Sequence, residues 1–254
     1  MRYLLSPACR SILAQLALER TLCAFDFDGT LAPIVDNPDQ AMLSGGTRQL
    51  LGRLAALYPC VILSGRARTD LLGKLGGMPL ERVFGNHGAE GEGPKPWRRP
   101  HVQRWKAAIE LELGPVPGLW VEDKGLSLAV HYRQSPRRSE VLRQILKATQ
   151  NLQRARVFGG KYVVNLVVDG DPHKGTALIA ERERLRCDSV LYVGDDRNDE
   201  DAFSIGGRTI AVRIGRAWHS RAGYYLHAQS EIDTLLELMV TLREQVRPPA
   251  PDIL

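Results

Sequence analysis

Four short polar clusters follow apolar or turn-forming segments in this chain, and each carries side chains that handle anions or cations. The first is Asp26-Phe27-Asp28-Gly29-Thr30. Alternation along a strand end puts the Asp26 and Asp28 side chains on one face, about 6 to 7 Å apart. Carboxylates so close repel unless a cation or a proton lies between them, so the pair predicts a hard divalent metal or one protonated aspartate. Gly29 lets the backbone turn sharply, and the N–H groups of such a turn can cradle an anion. The second cluster is Ser64-Gly65-Arg66, where a hydroxyl and a guanidinium meet at a helix start. A helix cap beside a solvated arginine has the same appearance. The third is Lys174 in Pro172-His173-Lys174-Gly175-Thr176, which lacks the spacing of a nucleotide-binding P-loop. A lysine at a helix start opposes the helix dipole, so it is either solvated or compensated by an anion. The fourth is Gly194-Asp195-Asp196-Arg197-Asn198-Asp199-Glu200-Asp201. So many acids at one strand end call for a metal, and the calcium-loop spacing is not matched. Together the clusters supply a carboxylate nucleophile, a second carboxylate for acid–base work, a hydroxyl and a lysine for oxyanions, and acids for Mg²⁺. That is equipment for phosphoryl transfer through an aspartyl-phosphate. A glycosidase also uses two carboxylates but needs neither the lysine nor the metal cluster.

The elements that must position these groups alternate. Apolar runs over 22–27, 60–65 and 83–84 read as strands, with helices over 47–57 and 69–75 between them, the pattern of a parallel sheet covered on both faces. Gly91–Pro100, rich in Gly, Pro and Arg, reads as a linker. Beyond it the style changes to a helix over 102–113, strands over 119–122 and 126–133, a helix over 137–152, and strands over 156–158 and 161–168. The first style then returns with a helix over 174–185, strands over 189–194 and 209–215, and a helix over 231–245. The predicted fold is α/β, a Rossmann-like doubly wound parallel sheet with an inserted α+β cap, the core spanning 1–93 and 170–254 and the cap 94–169. In open α/β sheets ligands bind at the carboxyl ends of the strands, where these clusters fall. The tail RPPAPDIL reads as disordered.

Composition bounds the alternatives. The 254 residues are 44% hydrophobic and 25% charged, which suits a globular protein and argues against disorder, collagen-like repeats and coiled coil. No uncharged apolar stretch is long enough to span a bilayer. The first twenty residues imitate a secretory leader, but Arg10, Gln15 and Glu19 interrupt the apolar run and the spacing of Ile12, Leu13 and Leu16 favours an amphipathic helix that is retained. Cys9, Cys23, Cys60 and Cys187 are scattered and form no C-x-x-C pair, so a reducing, cytoplasmic setting and buried thiols are expected. Residues 94–161 carry fourteen Lys or Arg against five Asp or Glu, a net of +9, while the remainder carries twenty against twenty-four, a net of −4. A basic segment of this kind is a solvated face, a nucleic-acid patch, or a basic lid over a carboxylate site. A nucleic-acid site would leave Asp195, Asp196 and Asp199 without a purpose.

With these clusters in order, the chain resembles the haloacid dehalogenase superfamily of phosphatases, whose four motifs match Asp26-x-Asp28-Gly29-Thr30, Ser64, Lys174 and Gly194-Asp195-Asp196-x-x-Asp199. The resemblance implies Asp26 as nucleophile, Asp28 as general acid/base and Lys174 as a catalytic cation. It implies a phosphate site of Asp28, Gly29, Ser64, Gly65, Arg66 and Lys174. Mg²⁺ is implied at Asp26, Asp28 through its carbonyl, Asp195, and Asp199 through water. The flanking segments Leu31-Ala32-Pro33-Ile34-Val35, Leu63-Ser64-Gly65-Arg66, Gly85-Asn86-His87-Gly88-Ala89-Glu90 and Glu122-Asp123-Lys124-Gly125 running to His131-Tyr132-Arg133 are similar to those of trehalose-6-phosphate phosphatases. That narrower resemblance implies sugar contacts at Glu122, Lys124, His87 and Gly88 and a small-molecule sugar phosphate as partner; a monomer is expected, with neither nucleic acid nor membrane as partner. One position departs from it: after Gly160-Lys161, Asn165 stands where the family has a glutamate that touches the sugar. A phosphatase or mutase for another sugar phosphate, such as sucrose 6-phosphate, is therefore the alternative.

Overall fold

Buried apolar runs alternate with amphipathic helices at both ends of the chain, and a different pattern fills its middle. The structure, a computed structural model, describes residues 1–91 and 96–246. The first part contains β1 (Arg2–Tyr3), α1 (Arg10–Leu18), β2 (Thr21–Phe25), α2 (Gly45–Leu57), β3 (Cys60–Leu63), α3 (Arg68–Leu75) and β4 (Arg82–Phe84). The middle contains α4 (Arg99–Leu113), β5 (Trp120–Asp123), β6 (Ser127–His131), α5 (Arg138–Thr149), β7 (Ala155–Gly160) and β8 (Val163–Val168). The last part contains α6 (Lys174–Arg184), β9 (Ser189–Gly194), α7 (Glu200–Phe203), β10 (Thr209–Ile214), β11 (Tyr224–Leu226) and α8 (Ile232–Val246).

Seven strands form one parallel sheet in the order β1-β11-β10-β9-β2-β3-β4. Strands of a sheet buried on both faces are apolar throughout, and β2, β3 and β9 are buried at every position. Their alternation divides the core in two. Cys23, Phe25, Leu191 and Val193 pack with Leu13, Leu51, Leu71 and Leu235 from α1, α2, α3 and α8. Leu22, Ala24, Val190 and Tyr192 pack on the other face with Leu178 and Phe203 from α6 and α7. Strand order reverses at β2, which makes the carboxyl end of β2 the switch point where a doubly wound sheet opens a crevice.

The inserted strands form a four-stranded antiparallel sheet in the order β5-β6-β8-β7. Leu128, Val130, Val164, Leu166 and Val168 face Val102, Trp105, Ile109, Val141 and Ile145 of α4 and α5. With a period of two, Trp120, Glu122, His131, Phe158 and Asn165 point to the opposite face, toward the parallel sheet. Arg98, at the entry to α4, pairs with Asp171, just before α6, at 2.6 Å, so the two chain crossings between the layers lie side by side.

The sequence-predicted strand over 22–27 ends at Phe25. Phe27 already belongs to a turn in which its carbonyl accepts from the Leu31 and Ala32 N–H groups. Strands β1 and β11 were not anticipated, because two or three residues carry no periodicity. All four cysteines are free and buried. Among the described residues no helix is long and apolar enough to cross a membrane. The linker expected over Gly91–Pro100 falls partly on residues 92–95, and the disorder expected for RPPAPDIL falls wholly on 247–254, both outside the described residues.

Candidate active site

Asp26 stands immediately beyond β2, its N–H held by the Val193 carbonyl at 2.9 Å, so its carboxylate is delivered to the crevice by two neighbouring strands. Lys174, the first residue of α6, reaches the same point from the other side of the sheet. Its Nζ lies 3.0 Å from Asp26 Oδ1 and 2.7 Å from Asp199 Oδ1. The lysine is 1% exposed, which settles the choice left open by its sequence position: it is compensated by carboxylates rather than solvated. Burial works to lower the pKa of this ammonium, but Asp199 and Asp26 outweigh it and the net shift is upward.

Asp199 is fixed from three directions. Its Oδ1 accepts from Lys174 and from the Tyr192 hydroxyl at 2.6 Å, and its Oδ2 accepts from the Asp196 N–H at 2.9 Å. Tyr192 points off β9 toward α6, a role invisible in sequence, where it reads as one more core residue of an apolar strand. Asp195 has the opposite character. Among the described residues no hydrogen-bond donor reaches its carboxylate, and burial, with Asp199 and Asp196 beside it, pushes it up to about 7. Burial likewise holds Asp26 well above the usual carboxylate range, with Lys174 opposing and Asp199 and Asp195 reinforcing the shift. Asp26, Asp195 and Asp199 present oxygens within 4.8 Å of one another. Three carboxylates facing one ammonium leave net negative charge in a poorly solvated place, and oxygen donors around such a deficit suit a hard divalent cation. The residues present therefore fit a metal. Asp28 does not join this group through its side chain.

Gly29 is required here on two counts. Its φ of +77° is a left-handed conformation, and a Cβ on it would stand 2.2 Å from Asp195 Oδ2. The turn after β2 and the turn after β9 thus approach more closely than any other residue permits.

Arg66, expected at the phosphate, is held by carboxylates and a carbonyl in this structure. Its Nε and Nη2 fork the two Asp28 oxygens at 2.7 and 2.8 Å, its Nη1 donates to Asp70 at 2.8 Å, and its Nη2 also donates to the Pro38 carbonyl at 2.7 Å. The guanidinium therefore braces Asp28. Ser64 and Gly65 lie beside it on the wall of the cavity, with Ser64 buried.

Above this floor lies a cavity of about 440 Å³ between the two sheets, lined by Asp26, Asp28, Ser64 and Asp195 below and by Trp120, Glu122, Lys124, His131, Arg133 and Lys161 above. Lys124 donates to the Gly65 carbonyl at 3.0 Å and lies 3.6 Å from Glu122, whose Oε2 meets His131 Nε2 at 2.8 Å. Although burial opposes it, His131 and Lys124 hold the Glu122 carboxyl below its usual range. Burial lowers Lys124, with Glu122 working against the shift.

His87, Gly88 and Asn165 are brought close to this site but not onto the cavity wall. His87 has a left-handed φ of 59°, packs its ring edge-on to Phe158 of β7 at 4.8 Å, and leaves both ring nitrogens buried without a hydrogen-bond partner. Burial, aided by Lys124 and Lys174, holds it well below the usual imidazole pKa, so the ring is neutral. Asn165, 3% exposed, sits on the β8 face that covers His87 without reaching hydrogen-bond geometry. A Cβ on Gly88 would meet the His173 carbonyl carbon at 2.7 Å, so this turn packs directly against the start of α6 and helps seat Lys174.

The Trehalose-phosphatase family model matches residues 24–229, which includes every residue of this site. The trehalose-phosphate phosphatase of Mycobacterium tuberculosis (strain ATCC 25618 / H37Rv) is 35% identical over 198 residues, covering 72% of this chain and 50% of the relative. That of Mycobacterium avium (strain 104) is 38% identical over 210 residues, covering 75% and 53%. The chain thus spans about half the length of the curated relatives it matches. The C-terminal domain of C. albicans trehalose-6-phosphate phosphatase superposes with a TM-score of 0.78 at 21% identity, over 91% of this chain and 96% of that one. The sucrose-phosphatase of Synechocystis sp. PCC6803, solved with sucrose and phosphate, superposes with a TM-score of 0.58 at 17% identity, over 88% and 98%. At those identities the superpositions speak to the fold alone. On the extent of the model match and the identity to the mycobacterial relatives, this chain belongs to the trehalose-phosphatase family.

Proposed function

We propose that the chain hydrolyses trehalose 6-phosphate to trehalose and phosphate through an aspartyl-phosphate on Asp26, with residues 94–169 acting as a cap over the core. The observation that carries this reading is the meeting of Asp26, Lys174, Asp195 and Asp199 at the β2 switch point, under a cavity roofed by Glu122 and Lys124. Asp26 Oδ attacks phosphorus, the bond from phosphorus to the sugar oxygen breaks, and Asp28 gives that oxygen its proton. Water then attacks the phosphorus of the acyl phosphate, Asp28 takes a proton back, and the bond to Asp26 breaks to release phosphate. Both Asp28 oxygens accept from Arg66, so proton transfer there requires this fork to open. Lys174 and Ser64 serve as phosphate ligands, and Lys174 also pairs with Asp26 and Asp199. Asp26, Asp195 and Asp199 would hold Mg²⁺, which supplies charge neutralisation for the phosphoryl oxygens.

The net charge of +9 over residues 94–161 fits an anionic substrate drawn onto an acidic, metal-charged floor, and accounts for the basic composition without nucleic acid. A panel of trehalose, sucrose, maltose and glucose 6-phosphates, assayed for phosphate release with and without Mg²⁺, tests the reading. Trehalose 6-phosphate is expected to have the highest kcat/KM, and only with the metal. Another ester ahead by about tenfold would transfer the proposal to that sugar.

A further inference from the structure

Trp120 is an exposed large aromatic side chain on the edge strand of the four-stranded sheet. Strand register sets it directly opposite His131, and the two rings stack at 4.0 Å between centroids and 7° between planes. His131 is itself fixed by Glu122 at 2.8 Å. The indole remains 47% exposed and borders the cavity, whose wall also carries charged side chains and the apolar Ile34, Tyr162 and Val163.

The groups along this edge form an ordered line. Lys124 reaches down to the Gly65 carbonyl, next to Ser64 and the phosphate end of the cavity. Trp120 is four residues farther along the β5 segment, about 13 Å away at the strand rise. One pyranose ring does not bridge that distance from a phosphate on the floor, and two do. The face of an aromatic ring is electron-rich, and the C–H face of a pyranose carries complementary partial positive charge. The imidazole behind the indole and the carboxylate behind the imidazole hold that ring before any ligand arrives, which spares the entropy of fixing it on binding.

We propose that Trp120, braced by His131 and Glu122, is a specificity-determining platform for the sugar ring remote from the phosphate, and that it sets a preference for disaccharide over monosaccharide phosphates. The proposal rests on the phosphatase reading above. It is tested by measuring kcat and KM for trehalose 6-phosphate, glucose 6-phosphate and an aryl phosphate with the wild type and with Trp120→Ala, Trp120→Gln and Trp120→Phe. Because β5 is an edge strand and Trp120 is half exposed, these variants are expected to fold. Loss of the platform should raise KM for the disaccharide ester about tenfold in the Ala and Gln variants. Their kcat, and their activity on the two smaller esters, should stay within about twofold of wild type. Trp120→Phe, which keeps a ring face, should recover most of the loss. Unchanged KM for the disaccharide ester, or an equal loss on all three esters, would overturn the platform and leave Trp120 as a packing partner of His131. Failure of the wild type to hydrolyse any of the three would instead overturn the phosphatase reading, and this proposal with it.

Discussion

His87 combines features that natural proteins seldom leave together: a left-handed backbone, full burial and two unpartnered ring nitrogens. Its neighbours are Phe158 and Asn165 from the four-stranded sheet, Gly65 from the core, and the cations Lys124, Lys174 and Arg156. A proton on the ring would be both desolvated and surrounded by like charge. The folded protein therefore refuses a proton that the unfolded chain accepts near pH 6.5, and stability must fall as the pH drops through that value. Compared with His87→Asn, which tolerates the same backbone, the wild type should lose up to about 1.4 kcal/mol between pH 7.5 and 5.5. Urea unfolding of both proteins in the presence of Mg²⁺ measures this, and a wild-type-minus-variant difference that stays flat with pH would refute it. The sequence placed His87 at a sugar contact through resemblance. Its neutrality came only from packing, because the two sheets that bury it belong to segments about eighty residues apart.

At the scale of elements, the turns after β2 and β9 matter more than the strands. Gly29→Ala adds a methyl group into the Asp195 carboxylate and strains a left-handed residue. The backbone cost is about 1–2 kcal/mol, but the larger consequence is displacement of Asp195 from Asp26. Half-activation should require at least about tenfold more Mg²⁺, roughly 1.4 kcal/mol of metal affinity. An activity titration against Mg²⁺ reads this directly, and an unchanged requirement would separate Gly29 from the acidic cluster. Much of this layer was legible in sequence. The apolar run over 189–194 is the observed β9, and the motifs lie at strand ends or turns where a parallel sheet exposes them. What escaped was set by partners distant in sequence. Arg66 has a free donor set on paper, and only the fold brings Asp28, Asp70 and the Pro38 carbonyl around it. Asn165 lies one strand position from Val164, and the pleat alone decides that it covers His87 rather than lining the cavity.

The whole molecule joins an acidic crevice to a basic cover, and the two chain crossings between them are held together by Arg98 and Asp171, both buried. Neither half is a site alone. Asp26 and its partner Lys174 lie on the parallel-sheet side, while Glu122, Lys124 and Trp120 lie on the other, so remote binding energy can be applied at the reacting centre only when the two sheets face each other as they do here. The charge pattern of the sequence anticipated this division. It did not anticipate that Lys124 would bridge it by bonding the Gly65 carbonyl. Asp26 as the nucleophile of a sugar-phosphate phosphatase is tested by the rate of phosphate release from trehalose 6-phosphate by wild type and by Asp26→Asn, with folding verified by thermal melting. An amide cannot attack phosphorus, so the variant should retain a folded structure and less than about one thousandth of the wild-type rate. A folded variant that keeps more than about one tenth of that rate would exclude Asp26 as the nucleophile.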